Sequence, residues 1–269
     1  MTPELSAPTI VLVHGLWLTP RSWEGWKERF ESRGHRVLAP AWPRMPGEVE
    51  DVRRDPSPLN GLGVSEIAEH YAAAVRALDR PPIIIGHSFG GLVTELLLDR
   101  RLGATGVALS PAPIKGVLRL PIAQLRASLP VLGNPANRTR TVALTRRQFH
   151  YAFTNTMDAE QARTVYDRYH VPGPARPIFE AAFANFTRGA PTKVDFHNAN
   201  RPPLLIIGNG ADHTVPASVS KEAATRLGKS NAVVEYKEYP GRPHFVVGAP
   251  GWEEVADYAL EWALRRTPQ

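Results

Sequence analysis

Residues 81–100 read PPIIIGHSFGGLVTELLLDR. Three isoleucines run straight into Gly86-His87-Ser88-Phe89-Gly90-Gly91, and a helix-like pattern begins at once. A short apolar run of β-branched residues behind two prolines reads as a buried strand, and residues 89–101 read as the helix that follows it. One serine therefore stands at a strand-to-helix bend, with a glycine two residues to either side. A turn that tight lifts the hydroxyl above the sheet, and side chains at the flanking positions would collide.

The same alternation extends in both directions. TIVLVHG is an apolar run ending in His14-Gly15, and a Trp- and Glu-rich helical stretch follows over residues 20–32, stopped by Gly34. HRVLAPAW gives a second strand, followed by a proline-rich loop. Ile67, Tyr71, Val75 and Leu78 then fall at helical spacing over residues 64–78, with Ser65 as the expected cap. TGVALSPA supplies a fourth strand after the serine. Continuous apolar strands joined by amphipathic helices indicate a parallel sheet covered on both faces, an α/β fold.

The pattern breaks at Pro111 and Pro113 and resumes at RPPLLIIGNGADHTVP and AVVEYKEYPGRPHF, before a closing helix over residues 252–265. The expected organisation is a core of residues 1–112 and 201–269 with a helical insertion at 113–200. That insertion offers no convincing strand, and helices are expected near 120–128, 145–154, 158–169 and 178–185. Phe149 and Phe153 lie four apart, and Phe179, Phe183 and Phe186 repeat at i, i+4, i+7, each set making one aromatic face. Core packing of the insertion explains both faces; a lining for substrate is the sharper alternative.

The chain of 269 residues carries 32 Lys and Arg against 26 Asp and Glu, a formal charge of +6. Residues 113–200 hold 12 of those cations against 5 acids, so the insertion is +7 and the remainder −1. The cations are scattered, without the interleaved aromatics of a nucleic-acid groove, so no nucleic-acid partner is expected. A solvated basic surface is the plain reading, with attraction of anionic substrates or membrane surfaces beside it. No apolar run approaches the roughly 18 residues of a membrane helix. The N-terminal MTPELSAPTI lacks the basic and apolar regions of a secretory signal, and there is no cysteine. Disulfides, thiolate metal sites and a cysteine nucleophile are thereby excluded, and a cytoplasmic location is expected.

A serine hydroxyl keeps its proton at neutral pH. As a nucleophile it needs a base, an acid to orient the base, and donors for the oxyanion that forms. Gly86 to Gly90 fits G-x-S-x-G in its required strand-to-helix context. Asp212 follows the Leu204 to Ile207 run, and His244 lies between the last strand and the closing helix. The order Ser, Asp, His is the one such a sheet uses. His213 rivals His244 as the base and Asp195 is a weaker rival for the acid. His14 and His87 read as structural, and Ser110 cannot serve as an acid. In LLIIGNGADH the third position of a dinucleotide G-x-G-x-x-G loop is His213, and no metal-ligating spacing occurs. No cofactor and no metal are expected.

On VLVHGLW, GHSFGG, GADHTVP and GRPHF, the chain resembles the α/β-hydrolases of the capped serine esterase, lipase and haloperoxidase-like superfamily, from Thr9 to Arg265. The resemblance implies a mostly parallel sheet of about six strands flanked by helices, with residues 113–200 as the cap. It implies Ser88 as nucleophile, His244 as base and then acid, and Asp212 fixing its tautomer. The backbone N–H groups of Leu16 and Phe89 would form the oxyanion hole. Trp17, Phe149, Phe153 and Phe183 are the candidate substrate pocket. The expected activity is cofactor-independent hydrolysis of an apolar, moderately bulky small-molecule carboxylic ester, with lactones and thioesters in the same class. The same residues would also serve a lyase, a carbon–carbon bond hydrolase or a perhydrolase; a ligand-binding receptor with a slow triad is the alternative of a different class.

Overall fold

A computed structural model of the chain describes residues 7–267. In chain order its elements are β1 (Ile10–Val13), α1 (Glu24–Glu31), β2 (Val37–Leu38), α2 (Val49–Arg54), α3 (Val64–Arg76), β3 (Ile83–His87), α4 (Phe89–Asp99) and β4 (Thr105–Leu109). Next come α5 (Ile122–Leu132), β5 (Thr141–Val142), α6 (Arg146–Phe153), α7 (Ala159–Tyr169), β6 (Gly173–Pro174) and α8 (Arg176–Ala182). The chain then returns through β7 (Leu204–Asn209), α9 (Ala217–Leu227), β8 (Val234–Tyr239) and α10 (Trp252–Arg266).

The apolar runs pair as their composition requires. Ile83, Ile84 and Ile85 sit opposite Ile10, Val11 and Leu12 on one side and Thr105, Gly106 and Val107 on the other. The sheet has the order β2-β1-β3-β4-β7-β8, and every pair is parallel. Four of the strands, β1, β3, β4 and β7, are buried along their whole length, as expected where helices cover both faces. The strand carrying Ser88 is thus central, and its C-terminal end opens toward the connection between β4 and β7.

Local chemistry departs from expectation at three places. Helix α3 begins at Val64 without a side-chain cap; the Val64 N–H donates instead to Glu180 Oε2 of α8 at 2.8 Å, so Ser65 is not its cap. The proline-rich loop contains α2, whose Val49 and Val52 are buried and whose Glu48 N–H donates to Asp51 Oδ2 at 3.2 Å. The insertion carries a two-stranded antiparallel sheet of its own, β5 with β6.

Candidate active site

Ser88 occupies the bend between β3 and α4 at φ 57° and ψ −120°, a left-handed conformation that an L-residue enters only when its surroundings enforce it. The enforcement is steric. A Cβ on Gly86 would lie 2.0 Å from the Gly90 carbonyl oxygen, and a Cβ on Gly90 would lie 2.0 Å from the Val13 carbonyl oxygen. The turn therefore closes only with glycine at both positions, and the Ser88 N–H donates to the Leu109 carbonyl at 2.9 Å to hold it.

Three side chains meet here from three loops. His244 Nε2 is 3.1 Å from Ser88 Oγ, and His244 Nδ1 is 2.6 Å from Asp212 Oδ2. Asp212 Oδ1 accepts from the N–H groups of Thr214 at 2.7 Å and Val215 at 2.8 Å, so both carboxylate oxygens are engaged. All three residues are buried. A carboxylate so held fixes the imidazole with its proton on Nδ1, which leaves the Nε2 lone pair facing the hydroxyl.

The end of α6 braces this arrangement. The carbonyls of its last turn have no partner within the helix. Tyr151 accepts from His213 Nδ1 at 3.0 Å, Ala152 from Thr214 Oγ1 at 2.7 Å, and Phe153 from the Phe245 N–H at 2.9 Å. These bonds secure the loops on either side of Asp212 and His244. They also hold His213 away from Ser88: its Nδ1 is bound to the Tyr151 carbonyl, and its ring lies tilted against that of Tyr151, 4.5 Å between centroids. Asp195 is spent on the His197 N–H at 2.9 Å, and Ser110 Oγ accepts from Asn209 Nδ2 at 2.9 Å.

His87 and His14 are both buried and bound to backbone groups. His87 Nε2 donates to the His244 carbonyl at 2.8 Å, and its burial, with the His244 ring beside it, holds its pKa well below the usual value. His14 Nδ1 donates to the Gly15 carbonyl at 3.0 Å, and its Nε2 accepts from the Trp42 N–H at 3.2 Å. Burial lowers its pKa to about 4.

Phe89 is the first residue of α4, so its N–H has no acceptor in the helix and lies at the positive end of the helix dipole. Leu16 sits in the turn after β1, whose neighbour Trp17 is at φ 63°. That turn is fastened to the insertion: Trp17 Nε1 donates to the Val142 carbonyl and the Val171 N–H to the Trp17 carbonyl, both at 2.9 Å.

A cavity of about 500 Å³ opens above Ser88, with Trp17, Phe89, Ile114, Val117 and Ile178 among its walls and Arg119, Gln124 and Asn185 among its few polar ones. Of the four residues expected to line it, only Trp17 does. Phe149 and Phe153 are fully buried: Phe149 stacks on Phe153 at 4.6 Å, and Phe153 stands edge-on to His244 at 4.7 Å. Phe183 is 55 % exposed and lies outside the lining, while Phe186 contributes to it. Helical spacing groups aromatics on one face without saying what that face meets. The apolar residues missed, such as Ile114, Val117 and Ile178, carry no motif; their place follows only from the path of the chain.

A parallel sheet with a serine on a glycine-framed bend, and a histidine and an aspartate on later loops, defines the α/β-hydrolase class. The chain belongs to the alpha/beta hydrolase family, whose model matches residues 10–258. Several solved structures share the fold at low identity. An extracellular α/β-hydrolase from a Paenibacillus species, described as sharing structural and functional homology with tobacco salicylic acid binding protein 2, is 19% identical with a TM-score of 0.66, over 98% of this chain and 100% of that one. The monoacylglycerol lipase of Paleococcus ferrophilus is 21% identical with a TM-score of 0.67, over 96% and 94%. A pyrethroid hydrolase from Sphingobium faniae is 17% identical with a TM-score of 0.62, over 95% and 97%. No curated protein matches the sequence.

Proposed function

We propose that the protein is a serine hydrolase of carboxylic esters, acting through an acyl-enzyme on Ser88. The observation that carries this reading is the continuous hydrogen-bonded line Asp212–His244–Ser88, at 2.6 and 3.1 Å, beneath an apolar cavity. Ser88 Oγ attacks the ester carbonyl carbon while His244 Nε2 takes the hydroxyl proton. The Asp212 carboxylate stabilises the imidazolium and keeps its orientation. The oxyanion is received by the N–H groups of Phe89 and Leu16, donors typically worth about 3 kcal/mol each in such sites. His244 then gives its proton to the departing alcohol. A water molecule, deprotonated by His244, attacks the acyl carbonyl, and collapse of the second oxyanion releases the acid and restores Ser88.

The cavity volume suits a substrate of moderate size, since small-molecule sites run from about 300 to 1,000 Å³. Its mainly apolar walls favour an apolar acyl or alcohol group. Residues 113–200 act as the cap, supplying Val117 and Ile178 to the wall. The esterase and lipase neighbours support ester chemistry in general, and lactones and thioesters fall within the same mechanism. A cytoplasmic location belongs to this proposal as well; one of the similar structures is an extracellular protein, so cell fractionation is the check.

Turnover of p-nitrophenyl esters of increasing chain length tests the reading. The wild-type protein should hydrolyse them, and Ser88→Ala should lose at least about 1,000-fold in kcat. Near-wild-type turnover by Ser88→Ala would remove the mechanism.

A further inference from the structure

Large apolar side chains are exposed in an uneven way. Of the nine such residues among those described, seven fall within residues 118–186: Leu118, Leu120, Ile122, Leu125, Leu129, Phe183 and Phe186. Ile122, at 84 % exposed, and Phe186, at 87 %, are almost as open as in an unfolded chain. Ile122, Leu125 and Leu129 follow one another at i, i+3, i+7, forming an apolar stripe along α5, while Ala127 and Val131 on its other side are buried. Leu118, Leu120, Leu125 and Phe186 also line the cavity that contains Ser88. The stripe and the rim of the cavity are therefore one continuous apolar surface, and Leu125 belongs to both. Contiguous exposed apolar surface on a soluble protein marks an interaction site.

Cations surround this surface. Arg119 lies on the cavity rim and shares a recess with Leu118 and Lys221. Arg126 and Arg147 share a recess with Leu129. Lys115 reaches the Thr187 carbonyl at 2.6 Å, beside Phe186. Among the described residues none of these five cations is in a salt bridge. The acid at this border, Glu222, is already taken by the N–H groups of Leu118 and Arg119 and by Arg226.

We infer that this surface docks the protein, cavity mouth first, onto an anionic lipid surface. Leucine, isoleucine and phenylalanine enter the boundary of the acyl chains while the encircling cations meet the headgroups, the division of labour of an interfacial amphipathic helix. Charge argues against a second copy as the occupant. A two-fold contact of this patch with itself would set five cations against five. Attachment is peripheral, because no helix among the described residues is long and apolar enough to cross a membrane. For the hydrolase reading, on which this consequence rests, docking would pass poorly soluble esters from the lipid into the cavity without crossing water.

The test is co-sedimentation of the full chain with phosphatidylcholine vesicles, with and without phosphatidylglycerol. The protein should pellet with the anionic vesicles and much less with the neutral ones. Binding should fall at about 1 M salt, where the screening length shrinks to about 3 Å. The double variant Ile122→Glu, Leu129→Glu alters exposed side chains outside the cavity lining. It should weaken binding at least tenfold, equal to about 1.4 kcal/mol, and leave hydrolysis of a short soluble ester unchanged. Equal binding by the variant, equal binding to neutral vesicles, or no binding by the wild type overturns the inference. So does a wild-type dimer that the variant dissolves, which would make a second copy the occupant. Vesicle binding without ester hydrolysis would instead sink the hydrolase reading and leave the lipid surface standing.

Discussion

The ring of Phe153 stands edge-on against His244, 4.7 Å between centroids and 82° between planes, and the Phe153 carbonyl accepts from the N–H of Phe245, the next residue along, at 2.9 Å. Phe153, the last residue of α6, thus packs against the His244 ring while pinning the loop that carries it. Trp17 also meets Phe153 edge-on at 6.0 Å, so the Leu16–Trp17 turn is braced by the same ring. Removing it should loosen His244 and unbrace Trp17, while the other cavity walls, to which Phe153 does not contribute, keep their makeup. Phe153→Ala is expected to lower kcat roughly 10- to 100-fold with a smaller change in KM, and to cost about 3–5 kcal/mol of stability. Steady-state kinetics and urea unfolding on the same preparation measure both.

Asp212 uses one oxygen on His244 and the other on two backbone N–H groups. Asp212→Asn retains the shape but presents an amide where the imidazole proton needs an acceptor, so the ring adopts the other tautomer. The expected loss in kcat is about 10⁴-fold. Rates across a pH series would detect it, and a loss under tenfold would deny Asp212 its role.

The bend depends on glycine through contact rather than preference. A Cβ at position 90 would meet the Val13 carbonyl oxygen at 2.0 Å, so Gly90→Ala must displace β1 or the start of α4. Destabilisation above about 4 kcal/mol is expected, whereas Gly241→Ala, with no atom within 4 Å of the added carbon, should stay within about 0.5 kcal/mol. Thermal unfolding of the pair makes the comparison.

How far the fold and site could be read from sequence follows from these particulars. The strands were legible because parallel strands buried on both faces are unbroken apolar runs, as in IIIGH and LLIIGN. Ser88, Asp212 and His244 were legible as candidates because each lies at the end of such a run, where the topology itself brings loops together. Helix α2 was not, since six residues are too few for a period and the prolines around it signal a loop. Strands β5 and β6, two residues each, have no pattern at all. The four-residue spacing puts Phe149 and Phe153 on one face, but whether that face meets substrate or the ring of His244 is decided by α6 packing on the core loops.

Glu95 of α4 is buried, with neither carboxylate oxygen in a hydrogen bond. Burial pushes its pKa up to about 8, against the pull of the Arg201 cation. A carboxyl whose folded pKa is raised binds its proton more tightly in the folded chain. Its contribution to stability is therefore greatest below the ordinary value of 4.5 and is lost as pH climbs to about 8. Glu95→Gln removes that titration. The variant should match the wild type near pH 4 and exceed it by a few kcal/mol above pH 8. Chemical denaturation at several pH values would reveal a parallel pair of curves if Glu95 were ionised in the folded chain throughout.

The central claim is that Ser88 Oγ is a nucleophile activated by His244. Intact-mass analysis after treatment with a fluorophosphonate tests it most directly. A single adduct on Ser88, absent from Ser88→Ala and strongly slowed in His244→Ala, is the expected result. An unlabelled wild-type protein, or equal labelling of all three, would contradict it.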